Sequence, residues 1–327
     1  MRFQISDMTA YTPTPAAFFS GTAIVDAYDK GRFPYPEAAI EHVATHIPEN
    51  AVLLDMGAGN GRTLRPLFEA HRMNDVEVHA VDPSATMLAS LTHTLGDRSN
   101  VIPHEGTFAT IPLEDESVDT VICGSSIHWG TTTAVEARQT RTELSRVLKP
   151  QGKLILLSDD WAISSPLARD LSQAQETIIH AMDDRGHRED KQALALRAQH
   201  HTRLALVKLR LTTLSLKQKT AGLTPPEQAT LTHLFQERVG EIFIHQNRLG
   251  GFFDHSRKSR IFRQSFDIDA QTLRDELHSH VWFDRMNEGQ KAYTEDVLDS
   301  IIYKHTVSGR PLTAERACLV VVGHLKR

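Results

Sequence analysis

Residues 53–63, LLDMGAGNGRT, constrain this chain more than any other stretch. An apolar run ending in Asp55 reads as a strand. Three alternate glycines, Gly57, Gly59 and Gly61, then lead into a helical pattern. A strand passing through such a turn into a helix is half of a βαβ unit, and glycine lets backbone approach a ligand closely. The spacing is G-x-G-x-G, not the G-x-G-x-x-G of a dinucleotide fingerprint. That fingerprint sets a helix N-terminus against a pyrophosphate. Asp55 would repel a phosphate but suits a cationic ligand. The turn therefore fits an adenosine-type ligand without phosphates.

The surrounding sequence keeps the same rhythm. A helical pattern at 36–47 begins on Pro36, a residue suited to a first turn. Strand patterns at 51–56, 76–82, 100–106, 118–126 and 153–158 alternate with helical ones at 62–71, 84–95 and 134–148. Ser84 suits an N-cap. This alternation implies parallel βαβ units in an open, doubly wound α/β sheet. After Ser158 the rhythm stops. Residues 166–182 and 226–246 are helical in spacing, while 203–219 mixes helical and alternating leucines. A strand pattern returns at 260–268, helices at 270–280 and 289–305, and an apolar strand at 317–325. Residues 1–35 read as irregular, punctuated by Pro13, Pro15 and Pro34.

Composition narrows the partners. The chain has 327 residues, enough for a core and an added lobe, and its net charge of -5 does not attract nucleic acid. Its two cysteines, Cys123 and Cys318, lie in apolar strand patterns and read as buried thiols in a reducing, cytoplasmic setting. No run approaches the ~20 apolar residues of a bilayer span, and the first residues lack a signal-peptide core. No histidine or cysteine spacing indicates a metal, the His200–His201 pair included.

Four segments in order, LLDMGAGNGRT, VHAVDPSATML, GTFATIPLEDESVDTVICGSSIHWG and ELSRVLKPQGKLILLS, resemble the class I S-adenosylmethionine-dependent methyltransferases. The resemblance covers residues 26–158, about two-fifths of the chain. It implies a Rossmann-like, mostly parallel seven-stranded sheet with a mainly helical lobe inserted after the fifth strand. The division expected is a cofactor cover at 1–50, a cofactor core at 51–159, a lobe at 160–255 and a return to the sheet at 256–327. By resemblance, Gly57, Gly59 and Gly61 wrap the methionine and ribose portions of S-adenosylmethionine. Asp82 holds the ribose hydroxyls, Met87 packs on adenine, and Ser125 lies beside the methyl group. Relatives often carry an acid within the stretch matching 107–109; here Thr107 and Phe108 stand there. The lead-in AYDKGRFPYP (27–36) is similar to that of the trans-aconitate type, with Arg32 on the donor carboxylate and Tyr28 closing over it.

Methyl transfer from a sulfonium needs alignment above all. His128, in SSIHWG, is the candidate base for a hydroxyl acceptor, against a reading in which it only packs on the cofactor. The basic run at 254–264 and the apolar stripe Leu231, Leu234, Phe235, Val239, Ile242, Phe243 read first as surface and core. The stripe is also compatible with an acceptor pocket or a homodimer face. The expected partner is a small-molecule methyl acceptor. The alternatives are a non-catalytic cofactor-binding regulator and a nucleic-acid methyltransferase, the latter disfavoured because no Asn/Asp-Pro-Pro-aromatic turn follows the fourth strand.

Overall fold

The computed structural model describes residues 21–71, 73–96, 98–161, 166–171, 173–174, 224–255, 258–279, 283, 286–307, 309 and 311–326. The sheet grows from β1 (Val52–Met56), where Leu53, Leu54 and Met56 are fully buried. A strand apolar on both faces belongs between two helical layers. β1 pairs in parallel with β2 (Glu77–Asp82) and β4 (Val118–Gly124). β3 (Val101–Glu105) flanks β2, and β5 (Leu148–Trp161) flanks β4, both in parallel. Beyond β5 lies β8 (Leu312–Leu325), antiparallel. The outer edge of β8 is shared by β6 (Phe253–Asp254) and β7 (Ser259–Ile268). Eight strands thus fill seven positions, in the order β3-β2-β1-β4-β5-β8 with β6 and β7 last. This is the expected mostly parallel sheet, and the eighth strand is the two-residue β6.

Helices cover both faces. Alternation along β1 sends Leu53 to one side and Leu54 to the other. On Leu53's side, α2 (Glu37–Ala44), α3 (Leu64–His71) and α4 (Ala85–Leu95) supply Ile40, Leu67 and Leu91 to the core. On Leu54's side, α5 (Ala134–Val147) and α6 (Pro225–Gln246) supply Leu144 and Ile244. Local signals place these helices. Ser84 Oγ accepts the Met87 N–H, and Thr133 with Glu136 closes a capping box. Val239 and Phe243 pack on the sheet, so this part of the apolar stripe serves as core, whereas Leu234 is exposed. Leu231, Phe235 and Ile242 lie outside the described side chains, and residues 203–219 outside the described residues.

A third core stands beyond the sheet's C-terminal edge. β7 and β8 continue past β5, from Gln264 opposite Arg316 to Ile268 opposite Leu312. Against this arm pack α7 (Ala270–His278) and α8 (Glu288–Thr306), through Leu273, Leu277, Leu298 and Ile301. Leu167 and Leu171, from the helical residues 166–171, complete it with Phe33. The elements over the edge therefore come from both sides of residue 255. Among the described residues no helix is long and apolar enough to cross a membrane.

One expectation is corrected. Residues 1–35 read as irregular, yet α1 spans Thr22–Gly31. Glycines bound this helix at both ends, so it is short and weakly signalled. Its position comes from docking on α7. A Cβ on Gly31 would lie 2.0 Å from the Asp275 carbonyl oxygen, so only glycine permits this approach. Gly31→Ala is expected to cost roughly 1–3 kcal/mol, the usual range for overpacking. A denaturant midpoint unchanged from wild type would show that the α1–α7 contact is not close.

Candidate active site

The glycine turn is held by its neighbours. Gly57, Gly59 and Gly61 have φ of 74°, 55° and 85°, the left-handed region that favours glycine. Gly57 and Ala58 N–H groups both donate to the Val81 carbonyl, at 2.8 and 3.1 Å. A Cβ on Gly57 would sit 2.5 Å from Ser126 Cβ, whereas one on Gly59 would meet nothing within 4 Å. The turn is therefore packed at its start and open in its middle. Gly61 packs on Leu91 of α4, 3.4 Å from its would-be Cβ.

Two carboxylates flank this opening, and they differ. Asp82 is 8% exposed and accepts the Gly59 N–H and the Ser84 N–H, each at 2.9 Å. Burial raises its pKa, and the two backbone hydrogen bonds oppose that. Asp55 is fully buried, and neither of its oxygens has a hydrogen-bond partner. Burial first, and the Asp82 charge second, push its pKa up to about 8.

The other expected residues surround the same edge. Met87 is buried in the first turn of α4. Thr107 bridges to Thr110 and accepts the Ala109 N–H on its hydroxyl at 3.2 Å. Phe108 packs on Gly130, whose would-be Cβ lies 2.4 Å from the ring, and approaches Gly57. Arg32 lies over the Tyr28 ring, 5.2 Å from its centroid. Both line a crevice with Asp29, Asn60, Arg62 and Arg65. Asn60 Nδ2 donates to Asp29, and the Ser90 hydroxyl donates to Asp29 at 3.4 Å, so α1 is tied to the turn and to α4.

Ser125 follows β4 with φ of 51°, a strained conformation outside glycine. Its hydroxyl donates to Asp159 Oδ1 at 2.8 Å and accepts from the Tyr35 hydroxyl at 3.2 Å. His128 sits in a short 3-10 turn (Ile127–Gly130) with its ring 5.1 Å from Trp129. The residue is exposed to solvent, with protein atoms crowded around the ring. Desolvation, and then the Arg32 charge, lower its pKa to about 4, so it is neutral at pH 7. In the basic run, Lys258 precedes β7, while Arg263 stands level with Ala317 and Asp160 at the edge. Among the described residues no three His, Cys, Asp or Glu side chains converge on a metal position.

Sequence reasoning missed a buried ionic cluster beneath this edge. Asp159 Oδ2 accepts from Arg62 Nη2 at 2.8 Å and from Arg316 Nη2 at 2.6 Å. Its Oδ1 accepts from Arg62 Nη1 at 3.2 Å, besides Ser125. Arg316 Nη1 reaches Glu276 at 3.5 Å, and Arg62 Nε donates to the Phe33 carbonyl at 2.9 Å. Burial pushes the Asp159 carboxyl up, but the Arg62 and Arg316 guanidiniums outweigh it and hold the pKa far below the carboxylate range. The sequence did hold a trace: two acids, Asp159 and Asp160, end an apolar strand, and an arginine follows the last glycine of the turn.

Residues 54–156 match a family described as methyltransferase domain. The chain is 36% identical over 157 residues to an uncharacterized methyltransferase of Schizosaccharomyces pombe, covering 47% of this chain and 58% of that protein. It is 35% identical over 133 residues to an uncharacterized methyltransferase of Mycobacterium bovis, covering 41% and 49%. A dimethylglycine N-methyltransferase of Parasynechococcus marenigrum is 28% identical over 156 residues, covering 46% and 50%. The aligned stretch thus spans about half the length of these relatives. A solved structure of a candidate type II methyltransferase from Anaeromyxobacter dehalogenans superposes with a TM-score of 0.50 at 16% identity, over 90% of this chain and 97% of that one. Residues 54–156 thus match a methyltransferase domain, and the chain has a Rossmann-like methyltransferase fold.

The packing of the turn yields a comparison in the empty protein. Gly57→Ala and Gly59→Ala both incur left-handed strain of about 1–2 kcal/mol. Only the first also drives a methyl group into Ser126. Gly57→Ala should therefore lower the melting temperature clearly more than Gly59→Ala, and equal losses would contradict the packing described.

Proposed function

We propose that this chain transfers the methyl group of S-adenosylmethionine to a small organic acceptor at the C-terminal edge of the sheet. The observation that carries the proposal is the open face of Gly59 between a satisfied carboxylate, Asp82, and an unsatisfied one, Asp55. The residues fit the cofactor. Asp82 keeps lone pairs beyond its two backbone donors for ribose hydroxyls. Asp55 is a buried acid whose oxygens have no hydrogen-bond partner and which suits a cationic group, and Arg32 offers a planar fork to a carboxylate. Gly57 and Gly61 shape the turn, Met87, Thr107 and Phe108 wall the adenine side, and Tyr28 covers the amino-acid end. Ser125 borders the methyl position, its hydroxyl held by Asp159 and Tyr35. The likeness to the trans-aconitate type rests on the lead-in carrying Tyr28 and Arg32.

When bound, S-adenosylmethionine supplies a methyl carbon on a cationic sulfur. The protein's work is to align an acceptor with that carbon and keep water out. In this reading residues 1–50 cover the cofactor, 51–159 bind it, and 160–255 together with the β7–β8 arm enclose the acceptor. The net charge of -5 argues against a nucleic-acid substrate. Two buried free cysteines suit a reducing, cytoplasmic setting. The low pKa of His128 makes it a weak base for a neutral hydroxyl. The geometry therefore favours an acceptor that is already nucleophilic, a carboxylate or free amine, with His128 as a wall.

Calorimetry should show binding of S-adenosylmethionine and S-adenosylhomocysteine and none of NAD. Asp82→Ala should weaken binding by about 1.5–3 kcal/mol, the range for hydrogen bonds to charged groups. Unchanged affinity in a folded variant would remove Asp82 from the site. Turnover on a panel of small acids and amines separates the enzyme from a non-catalytic cofactor binder. His128→Ala should then change kcat little or raise KM, while a large fall in kcat at unchanged cofactor affinity would restore it as a base.

A further inference from the structure

We infer that Asp55 is a neutral acid in the empty protein and gives up its proton when it receives the α-ammonium of the methyl donor, so that cofactor binding and proton release are one event. The inference rests on the methyl-donor reading above and adds to it a linkage that selects for a cationic ligand.

The geometry sets the two carboxylates against each other. Asp55 is in register with Ala80, two residues before Asp82 on the same face of the neighbouring strand. Asp82 is satisfied by the Gly59 and Ser84 N–H groups. Asp55 is fully buried with both oxygens unpartnered. An ionised carboxylate in that position would be desolvated, without a hydrogen bond and beside a like charge, a combination that proteins relieve by protonation. Of the two acids, the proton therefore belongs on Asp55, and its raised pKa agrees.

The other groups around Asp55 do not supply a counter-charge. On β4, the Cys123 thiol is pushed up by burial and then by the Asp55 charge, so it stays protonated. From the turn, the Arg62 guanidinium is committed to Asp159 and the Phe33 carbonyl. Tyr35, on the lead-in, is raised by burial and donates to Ser125. A cation must therefore come from outside. An ammonium delivered along the glycine turn would make the ionised form the stable one, and the proton would leave to solvent: COOH becomes COO⁻, with one H⁺ taken by buffer.

The sign follows from linkage. Below the pKa of Asp55, binding must first remove a proton, so affinity weakens as pH falls. Titration of the full chain with S-adenosylmethionine and with S-adenosylhomocysteine at pH 7, in phosphate and in Tris, reads the released protons from the difference in apparent enthalpy. We expect about one proton per site in wild type with both ligands, and a Kd that tightens about tenfold from pH 6 to pH 7. Asp55→Asn should abolish both the release and the pH slope and bind more weakly. Binding by wild type with no proton release overturns this inference alone, as does release that persists in Asp55→Asn. Release with S-adenosylmethionine only would assign the charge contact to the sulfonium and overturn the ammonium assignment. No binding of either ligand overturns the methyl-donor reading, and the inference with it.

Discussion

The carboxylate of Asp159 is the interaction on which the site's geometry depends. It accepts four hydrogen bonds from three side chains, and those side chains belong to the glycine turn, the segment after β4 and β8. Through Arg62 it also reaches the lead-in, since that guanidinium holds the Phe33 carbonyl and lies 4.0 Å over the Tyr35 ring. Through Arg316 it reaches Glu276 on α7. Buried ion pairs rarely stabilise a fold on balance, because desolvating each charge costs several kcal/mol. Here two cations face two carboxylates, and the Asp159 oxygens accept four hydrogen bonds. What such a network adds is specificity of arrangement, since the ends of β1, β4 and β5 and the start of β8 must all be in place for it to close.

That network explains why Ser125 tolerates a left-handed backbone. Its N–H donates to the Leu157 carbonyl at 2.9 Å, and its hydroxyl is fixed between Tyr35 and Asp159. Strain of this kind persists only where surrounding contacts over-determine it. Asp55 is the counter-case. It stands on the same edge, more deeply buried, with no donor aimed at it. One acid is completed by the fold, and the other is the one we propose a ligand completes.

Much of this was legible in the sequence, and the limit has a physical cause. The strand–turn–helix of β1, the acid ending β2 and the Ser84 cap are local signals, written within a few residues of one another. The periodic strands and helices through β5 follow from the same local rule. The Asp159 cluster could not be read this way. Its arginines are 97 and 157 residues away in sequence, and the trace at Arg62, after the last glycine of the turn, does not say which acid it meets. α1 was missed for a similar reason, since its stability comes from Gly31 against Asp275 rather than from its own ten residues. The apolar stripe of α6 was read as core by default, and Val239 and Phe243 do pack there while Leu234 is exposed.

The way the lobe is joined to the sheet bears on how an acceptor could be enclosed. A lobe inserted through loops can swing about them. Here β7 and β8 run unbroken from the body of the sheet into the arm beneath α7 and α8, and their ladder extends from Ser259 opposite Val321 to Ile268 opposite Leu312. Rotating the arm would break backbone hydrogen bonds along both strands, and Arg316, within that ladder, would have to leave Asp159. In the enclosure we propose, the α7–α8 part is therefore preformed. α1 and the lead-in are held differently: to the glycine turn by Asn60–Asp29, to α4 by Ser90–Asp29, to α7 by the close approach of Gly31, and to the cluster by Arg62 and Tyr35. Tyr28 and Arg32 face the crevice from that side, so a ligand there meets side-chain contacts rather than a backbone ladder.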